Sequence, residues 1–415
     1  MPRRGGGARL HSIAISCGAS GGVWLRADNW PVDRPVYLDH NATTPLAPGV
    51  LEVMTRYLAT DFGNPSSGHQ YGRAAHEAIG LARAQLAELL GALPDEIVFT
   101  GGGSEANTLA ITGAVAGRTG HVITQATEHP AVLETCEALA AQGIRLTVLP
   151  VDGHGLVDPA DLAAALTDDT LLVSVMHANN ETGTIQPLAE LAALAHGADA
   201  LFHTDAAQTT GKVPFSVGEL GADLLTVAGH KFGGPKGTGA LYIRTGVELR
   251  PVILGGGQER GLRSGTENVA GIAGLGAAAE HAAASHTAAS RAAGGHAAGE
   301  PGAMAGLRDE LHRLLVAALG DRVALNGHPV LRLPNTLNVS IAGTVGALLL
   351  AATPEIAAST GSACHDGSPG SPVLKAMGLD PARATAAIRL SVGHPTTQAE
   401  IRVAADALVK AVEKS

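Results

Sequence analysis

Two side chains in this sequence stand out for covalent chemistry, a lysine and a cysteine. Lys231 lies in Ala228-Gly229-His230-Lys231-Phe232-Gly233-Gly234, just past a predicted strand at Leu224–Val227. At the edge of a buried strand a lysine loses water, which favours its neutral form and frees an amine able to attack a carbonyl. Without that burial it is an ordinary solvated charge. Cys364 lies in Thr360-Gly361-Ser362-Ala363-Cys364-His365-Asp366-Gly367, a small-residue loop expected to be mobile and open to solvent. His365 beside it favours the thiolate, although a plain buried thiol also fits the pattern. Asp205 and Gln208 follow a predicted strand and are spaced to face one crevice, where the carboxylate can pair with a protonated ring nitrogen or cap the next helix. Gly101-Gly102-Gly103-Ser104-Glu105-Ala106 joins a predicted strand to a predicted helix. Such a turn aims backbone N–H groups at an anion. Ser104 also suits a helix cap. The same string satisfies G-x-G-x-x-A, which keeps dinucleotide binding open, with Glu128 the nearest acidic partner.

Positioning these groups falls to short apolar strands alternating with Ala/Leu-rich helices. Strands are predicted at Ile97–Thr100, His121–Thr124, Leu146–Leu149, Leu171–Met176, Leu201–Thr204, Leu224–Val227 and Ala240–Ile243. Helices are predicted at Arg73–Leu90, Glu105–Val115, Ala131–Gln142, Pro159–Leu166 and Leu188–His196. Continuous apolar strands such as 171–176 imply a mostly parallel sheet with helices on both faces. The last two strands are joined without a helix, so one of them can run antiparallel. After a further helix at Gly306–Leu319, a smaller α+β segment follows.

The 415 residues are 45% hydrophobic and 16% charged, enough for a large core and too apolar for a disordered chain. The net charge of −10 gives no global nucleic-acid footprint. No apolar run reaches the roughly 18 residues of a membrane span. Cys17, Cys136 and Cys364 contain no C-x-x-C pair and no disulfide framework, which fits a reducing cytoplasm. Cys136 sits within a predicted amphipathic helix and is expected to be structural. Residues 1–35 are expected to be a disordered extension, 36–47 to pack with the small domain, 48–287 to form the large domain, 288–303 an Ala/Gly-rich linker, and 304–415 the small domain. The histidines of 277–302 (His281, His286, His296) are widely spaced with no cysteine among them, a poor match to metal-ligand spacing.

Taken in order, seven motifs resemble a known family. They are Tyr37-Leu38-Asp39-His40-Asn41-Ala42-Thr43-Thr44-Pro45, Phe62-Gly63-Asn64-Pro65-Ser66-Ser67, Thr127-Glu128-His129, Asn179-Asn180-Glu181-Thr182-Gly183, Gly229-His230-Lys231, Arg260-Gly261-Leu262-Arg263-Ser264-Gly265-Thr266 and Gly361-Ser362-Ala363-Cys364. Over roughly residues 36–410 the chain resembles the cysteine desulfurases of the NifS/IscS type, class V aminotransferase relatives that use pyridoxal 5'-phosphate (PLP). The resemblance implies PLP-dependent transferase fold type I, with a large, mostly parallel seven-stranded sheet and a smaller α+β C-terminal domain. It implies that Lys231 holds PLP, that His129 stacks on its ring and shuttles protons, and that Asp205 pairs with the ring nitrogen. Gln208 and Asn180 would reach the ring hydroxyl and its surroundings. Gly103, Ser104 and His230 would bind the phosphate, joined by Thr266 from the other subunit of a homodimer. Arg389, with Asn180 nearby, would hold the carboxylate of L-cysteine, and Cys364 would accept sulfur for an iron–sulfur scaffold or a tRNA-thiolation enzyme. Ala228 departs from the family, which often has a serine there, and the glycine-rich 101–103, the apolar Ile341–Ala357 and the 277–302 segment differ as well. A selenocysteine lyase or another class V aminotransferase shares Lys231 and Asp205, and an NAD-dependent oxidoreductase remains the distant alternative.

Overall fold

The structure, a computed structural model, describes residues 34–292, 300–361 and 370–414. Val36–Ser415 form one compact unit, separate from Met1–Pro35. The expected extension of residues 1–35 falls almost wholly outside the described residues. The elements run β1 (Val36–Tyr37), α1 (Val50–Ala59), α2 (Gln70–Leu90), β2 (Ile97–Thr100), α3 (Gly103–Val115), β3 (His121–Gln125), α4 (Pro130–Ala140), β4 (Arg145–Leu149), α5 (Pro159–Ala165), β5 (Thr170–Ser174), α6 (Leu188–Gly197) and β6 (Leu201–Asp205). There follow α7 (Val217–Leu220), β7 (Leu224–Ala228), β8 (Gly239–Ile243), α8 (Val269–Ala292), α9 (Glu300–Leu319), β9 (Val323–Leu325), β10 (Thr336–Ile341), α10 (Gly346–Ala351), β11 (Ile356–Ala357), α11 (Pro372–Ala376), α12 (Pro381–Thr385), β12 (Ala387–Ser391) and α13 (Gln398–Lys414).

Seven strands form one sheet in the order β2-β8-β7-β6-β5-β3-β4. Neighbours from β7 through β4 pair in parallel. Strand β8 is antiparallel to both β7 and β2, so six strands point one way and β8 opposes them. This is the reversal expected where two strands are joined without a helix. The strands of this sheet are buried along nearly their whole length, apart from edge strand β4. Helices cover both faces. Helices α2 and α8 pack on one face around Leu86, Phe99, Leu225 and Leu275. Helices α3 and α4 pack with Val98, Leu172 and Leu241, and Cys136 is buried there with its thiol pushed up to about 12 by desolvation, as a structural cysteine should be.

A second core surrounds the antiparallel sheet β12-β10-β9, where α9 and α13 bury Leu311, Leu315, Leu408 and Val412. Strand β1 pairs in parallel with β11 beside this core, and Leu38 continues that pairing to Ala357. Helix α1 had no counterpart among the expected elements. The expected linker 288–303 is helical through Ala292 and again from Glu300, and the helix expected to begin at Gly306 begins six residues earlier. Alanine is the strongest helix former, so an Ala-rich run extends a helix that a composition argument assigns to a linker. Pro301 sits in the first turn of α9, where its missing N–H costs nothing. Among the described residues no helix is long and apolar enough to cross a membrane, and no cluster of side chains could hold a metal ion.

Candidate active site

In a parallel sheet the strand C-termini share one edge, so the loops that follow them converge. Here that edge opens into a cavity of about 820 Å3. Its walls are supplied by the residues after β2 (Gly103, Ser104), β3 (Glu128, His129), β5 (Asn180, Glu181), β6 (Asp205, Gln208) and β7 (His230, Lys231). Arg389, in the middle of β12, closes it from the antiparallel sheet.

The β2–α3 turn shows why its glycines are needed. Gly102 has φ 150°, in the region that disfavours side chains, and a Cβ on Gly239 would lie 2.7–2.8 Å from the Gly102 backbone. The strand-to-helix reversal therefore needs bare backbone at both positions. No side chain caps α3, so its first N–H groups and positive dipole end are left to the cavity. Ser104 lies inside the helix and is not its N-cap. Ala228 sits beneath the turn, with its Cβ 3.1 Å from where a Gly103 Cβ would stand. A serine there would add a hydroxyl to the cradle, and this chain lacks it.

Asp205 ends β6 with its carboxylate fixed at both oxygens: the Asn107 amide donates to Oδ2 at 2.7 Å and the Ala207 N–H to Oδ1 at 2.9 Å. Behind it, burial pushes the Glu128 carboxyl up to about 8, with the Asp205 charge adding to the shift and hydrogen bonds from Met176 and Gln125 opposing it. Burial thus favours the neutral form of Glu128, and its Oε2 finds no partner among the described residues. His129 caps α4, accepting the Ala131 N–H at 3.1 Å. His230 contacts Thr43 Oγ1 at 3.2 Å, and burial followed by the charge of Lys231 lowers it to about 4.

Lys231 Nζ donates to the main-chain carbonyls of Asn41 at 2.7 Å and Ala42 at 3.0 Å. Burial, reinforced by the Arg389 charge, lowers the amine to about 8. Its partners are neutral carbonyls rather than a carboxylate, which leaves desolvation the dominant influence. Arg389 donates through Nη1 to the Asn180 carbonyl at 2.9 Å and through Nη2 to Asp39 at 2.7 Å, while its buried Nε has no partner among the described residues. Burial raises Glu181, which accepts the Ser371 hydroxyl and lies against Gly361.

Of the residues singled out in the sequence, Gly103, Ser104, His129, Asn180, Asp205, Gln208, His230, Lys231 and Arg389 all line this one cavity. Thr266 does not. It is exposed on the segment before α8, outside the cavity lining. Cys364 lies outside the described residues, but Gly361 and Gly370, on either side of its segment, both line the cavity. Sequence reasoning assigned no role to Asn41, Asn107 or Lys212. Asn107 carried a usable signal, because one turn on from Gly103 a helical residue faces the same side. Lys212 carried none, lying four residues past Gln208 in a loop.

A group with an anionic phosphate, a carbonyl and a basic ring nitrogen fits these walls. The uncapped α3 N-terminus suits the phosphate, the desolvated amine suits the carbonyl, and the fixed carboxylate suits the ring nitrogen. Fold and walls together define an α/β enzyme of the PLP-dependent type I class. Residues 36–403 match the family described as Aminotransferase class-V. The chain is 46% identical over 387 residues to the cysteine desulfurase IscS of Dictyoglomus turgidum, covering 92% of this chain and 95% of that one. Among solved structures, a NifS-like protein is 37% identical with a TM-score of 0.83, covering 92% of this chain and all of that one. SspA in complex with cysteine is 38% identical with a TM-score of 0.75, covering 86% and 98%. The chain belongs to the NifS/IscS-type cysteine desulfurases of the class V aminotransferase family, and its cofactor is PLP.

Proposed function

We propose that this cavity carries out PLP-dependent removal of sulfur from L-cysteine, leaving L-alanine and passing the sulfur to Cys364. One observation carries the reading: a desolvated lysine amine, a fixed aspartate, an uncapped helix N-terminus and a buried arginine line a single cavity. The cysteine bound to the related SspA structure supports the choice of substrate.

Bound PLP supplies an electron sink for the pair released when an amino acid loses its α-proton. Lys231 anchors it and, once freed, its Nζ takes and returns that proton, for which an amine near pH 8 is well matched. Asp205 holds a proton on the ring nitrogen through charge pairing, and Asn107 and the Ala207 N–H keep that carboxylate in place. His129, on the cavity wall, stacks on the ring and relays protons. Gly103, Ser104 and His230 take the phosphate, with Thr266 of a second copy completing the cradle. Gln208 and Asn180 reach the ring hydroxyl. Arg389 grips the substrate carboxylate with its planar fork.

The Cys364 thiolate then attacks the substrate sulfur. An S–S bond forms as the Cβ–S bond breaks, and the pair from the broken bond stays on carbon and is protonated to give alanine. No outside oxidant or reductant is needed, because the Cβ carbon keeps the pair of the broken C–S bond and is reduced as the transferred sulfur is oxidised. Cys364 is left as a persulfide. It follows cavity-lining Gly361 by three residues, a chain span of roughly 10 Å at most.

The IscS-named relative supports delivery of that sulfur to an iron–sulfur assembly protein, and the Gly-Ser-Ala-Cys motif also suits a tRNA-thiolation acceptor. Exposed Thr266, together with exposed Leu58, Phe62 and Tyr71, supports a homodimer. Its three cysteines support a cytoplasmic setting. Mass spectrometry after cysteine treatment tests the central step. One added sulfur atom on the peptide containing Cys364 is expected, and sulfur on Cys136 or on no cysteine overturns the assignment.

A further inference from the structure

Behind the cavity lies a second lysine that the proposed chemistry does not use. Lys212 is buried, and its Nζ donates to Gln208 Oε1 at 2.9 Å and to Asn41 Oδ1 at 3.4 Å. Both partners are neutral amide oxygens. Gln208 in turn donates through Nε2 to the Asn41 main-chain carbonyl at 3.0 Å, the same oxygen that accepts from Lys231. The Asn41 side chain also receives Asn335 Nδ2 at 2.9 Å and donates to Thr336 Oγ1 at 2.8 Å and to the Asn180 carbonyl at 3.2 Å. One connected network thus joins Lys212, Gln208 and Lys231 to β10 of the antiparallel sheet.

We infer that Lys212 is a positioning residue, whose Nζ sets which way the Gln208 amide faces and so presents the Gln208 N–H to the cofactor. The inference rests on the PLP reading of the cavity. An amide has a donor end and an acceptor end, and its sense follows from its neighbours. In the observed sense, Oε1 meets the Lys212 donor and Nε2 meets the Asn41 carbonyl. Turned over, Oε1 would face that carbonyl oxygen and the amide nitrogen would face the amine, so both contacts would be lost. With Oε1 occupied by Lys212 and one Nε2 hydrogen by Asn41, the other Nε2 hydrogen is left for a ring oxygen. Burial, then the charges of Lys231 and Arg389, drive Lys212 well below the ordinary lysine range. A charged amine only donates and so fixes the amide's sense outright; a neutral amine keeps N–H groups for both oxygens, and the Asn41 carbonyl still disfavours the turned amide, whose Oε1 it would face. A buried methionine or leucine would fill the same space at lower desolvation cost. The polar end of Lys212 therefore accounts for its presence better than its volume does.

The test uses Lys212→Met, which keeps the length and removes the donors. Apoprotein is titrated with PLP, and the dissociation constant and the absorbance maximum of the bound cofactor are read. The wild-type protein must first turn yellow; if it stays colourless, the PLP reading itself fails, whatever Lys212 does. With the wild type yellow, Lys212→Met is expected to weaken binding by about tenfold, the scale of one misplaced hydrogen bond, and to shift the absorbance maximum. In a Gln208→Leu background the same substitution is expected to change neither quantity, because the amide it orients is gone. Wild-type affinity and absorbance in Lys212→Met overturn the inference, and so does an equal loss in both backgrounds, which marks a merely structural lysine. If Lys212→Met does not fold, Lys212→Leu, which also lacks the donors, is read in its place. A weakened, shifted cofactor supports the inference, and unchanged binding overturns it.

Discussion

The two sheets contribute to the site in different ways. In the seven-stranded sheet, the cavity-lining residues follow strand ends: Gly103 after β2, His129 after β3, Asn180 after β5, Asp205 at the end of β6 and Lys231 after β7. In the three-stranded sheet, the contribution comes from mid-strand: Arg389 is the third residue of β12, paired across from Asn338. The difference follows from strand direction. Parallel strands end on one edge, so their loops collect there, whereas antiparallel neighbours end on opposite edges and can converge only through a face. The loop-borne groups line the cavity from the sheet edge, and the face-borne arginine is the one that the proposed function assigns to gripping the substrate. A group embedded in a strand is well held but poorly placed to move, which suits binding more than proton transfer.

That contrast predicts unequal losses. Lys231→Ala, at a strand end, is expected to reduce sulfide release by at least about a thousandfold and to leave no pyridoxyl label after hydride reduction and peptide mapping. A label elsewhere, or turnover close to wild type, would break the comparison at its strongest point. Arg389→Lys replaces a planar fork with a point charge. It is expected to raise KM for cysteine by about ten- to a hundredfold with a smaller change in kcat and unchanged cofactor absorbance. A fall in kcat at constant KM would instead put the mid-strand arginine in the chemical step. The smallest effect concerns pH. Lys231 is lowered to about 8 in the folded protein, against an ordinary value of 10.5. Only its neutral form bonds to the cofactor carbonyl, so covalent attachment of PLP to apoprotein should become faster from about pH 7 and level off near about pH 9. Stopped-flow absorbance measures this, and a rate still climbing steeply at about pH 10 contradicts the desolvation argument.

Much of this arrangement is legible before folding. The strands of the large sheet read as short apolar runs, because burial on both faces removes any need for alternation. The reversal at β8 was visible in the link at 229–238, which holds one short 3-10 turn and no α-helix. The Gly101–Ser104 turn, Asp205 and Lys231 each sit in a segment with its own chemical signature, whereas Arg389 follows only from the family resemblance. Helix α1 and the helical reach of α8 to Ala292 were less legible. Composition suggests a linker wherever alanine and glycine are dense, and propensity alone does not say where tertiary packing will extend a helix.

From its residues alone the chain offers candidate groups, an amine, a carboxylate, a thiol and an anion-binding turn, and the order of seven motifs along the sequence ties them to one family. What only folding could decide is how those groups are tuned and aimed. Asn41 accepts from Lys231 and contacts Lys212 across more than 150 residues of sequence, and the Glu128 carboxyl is pushed toward its neutral form by burial in the folded sheet. Hydrogen-bond partners and desolvation depend on distances in space, and sequence spacing sets those distances only within a turn or a strand.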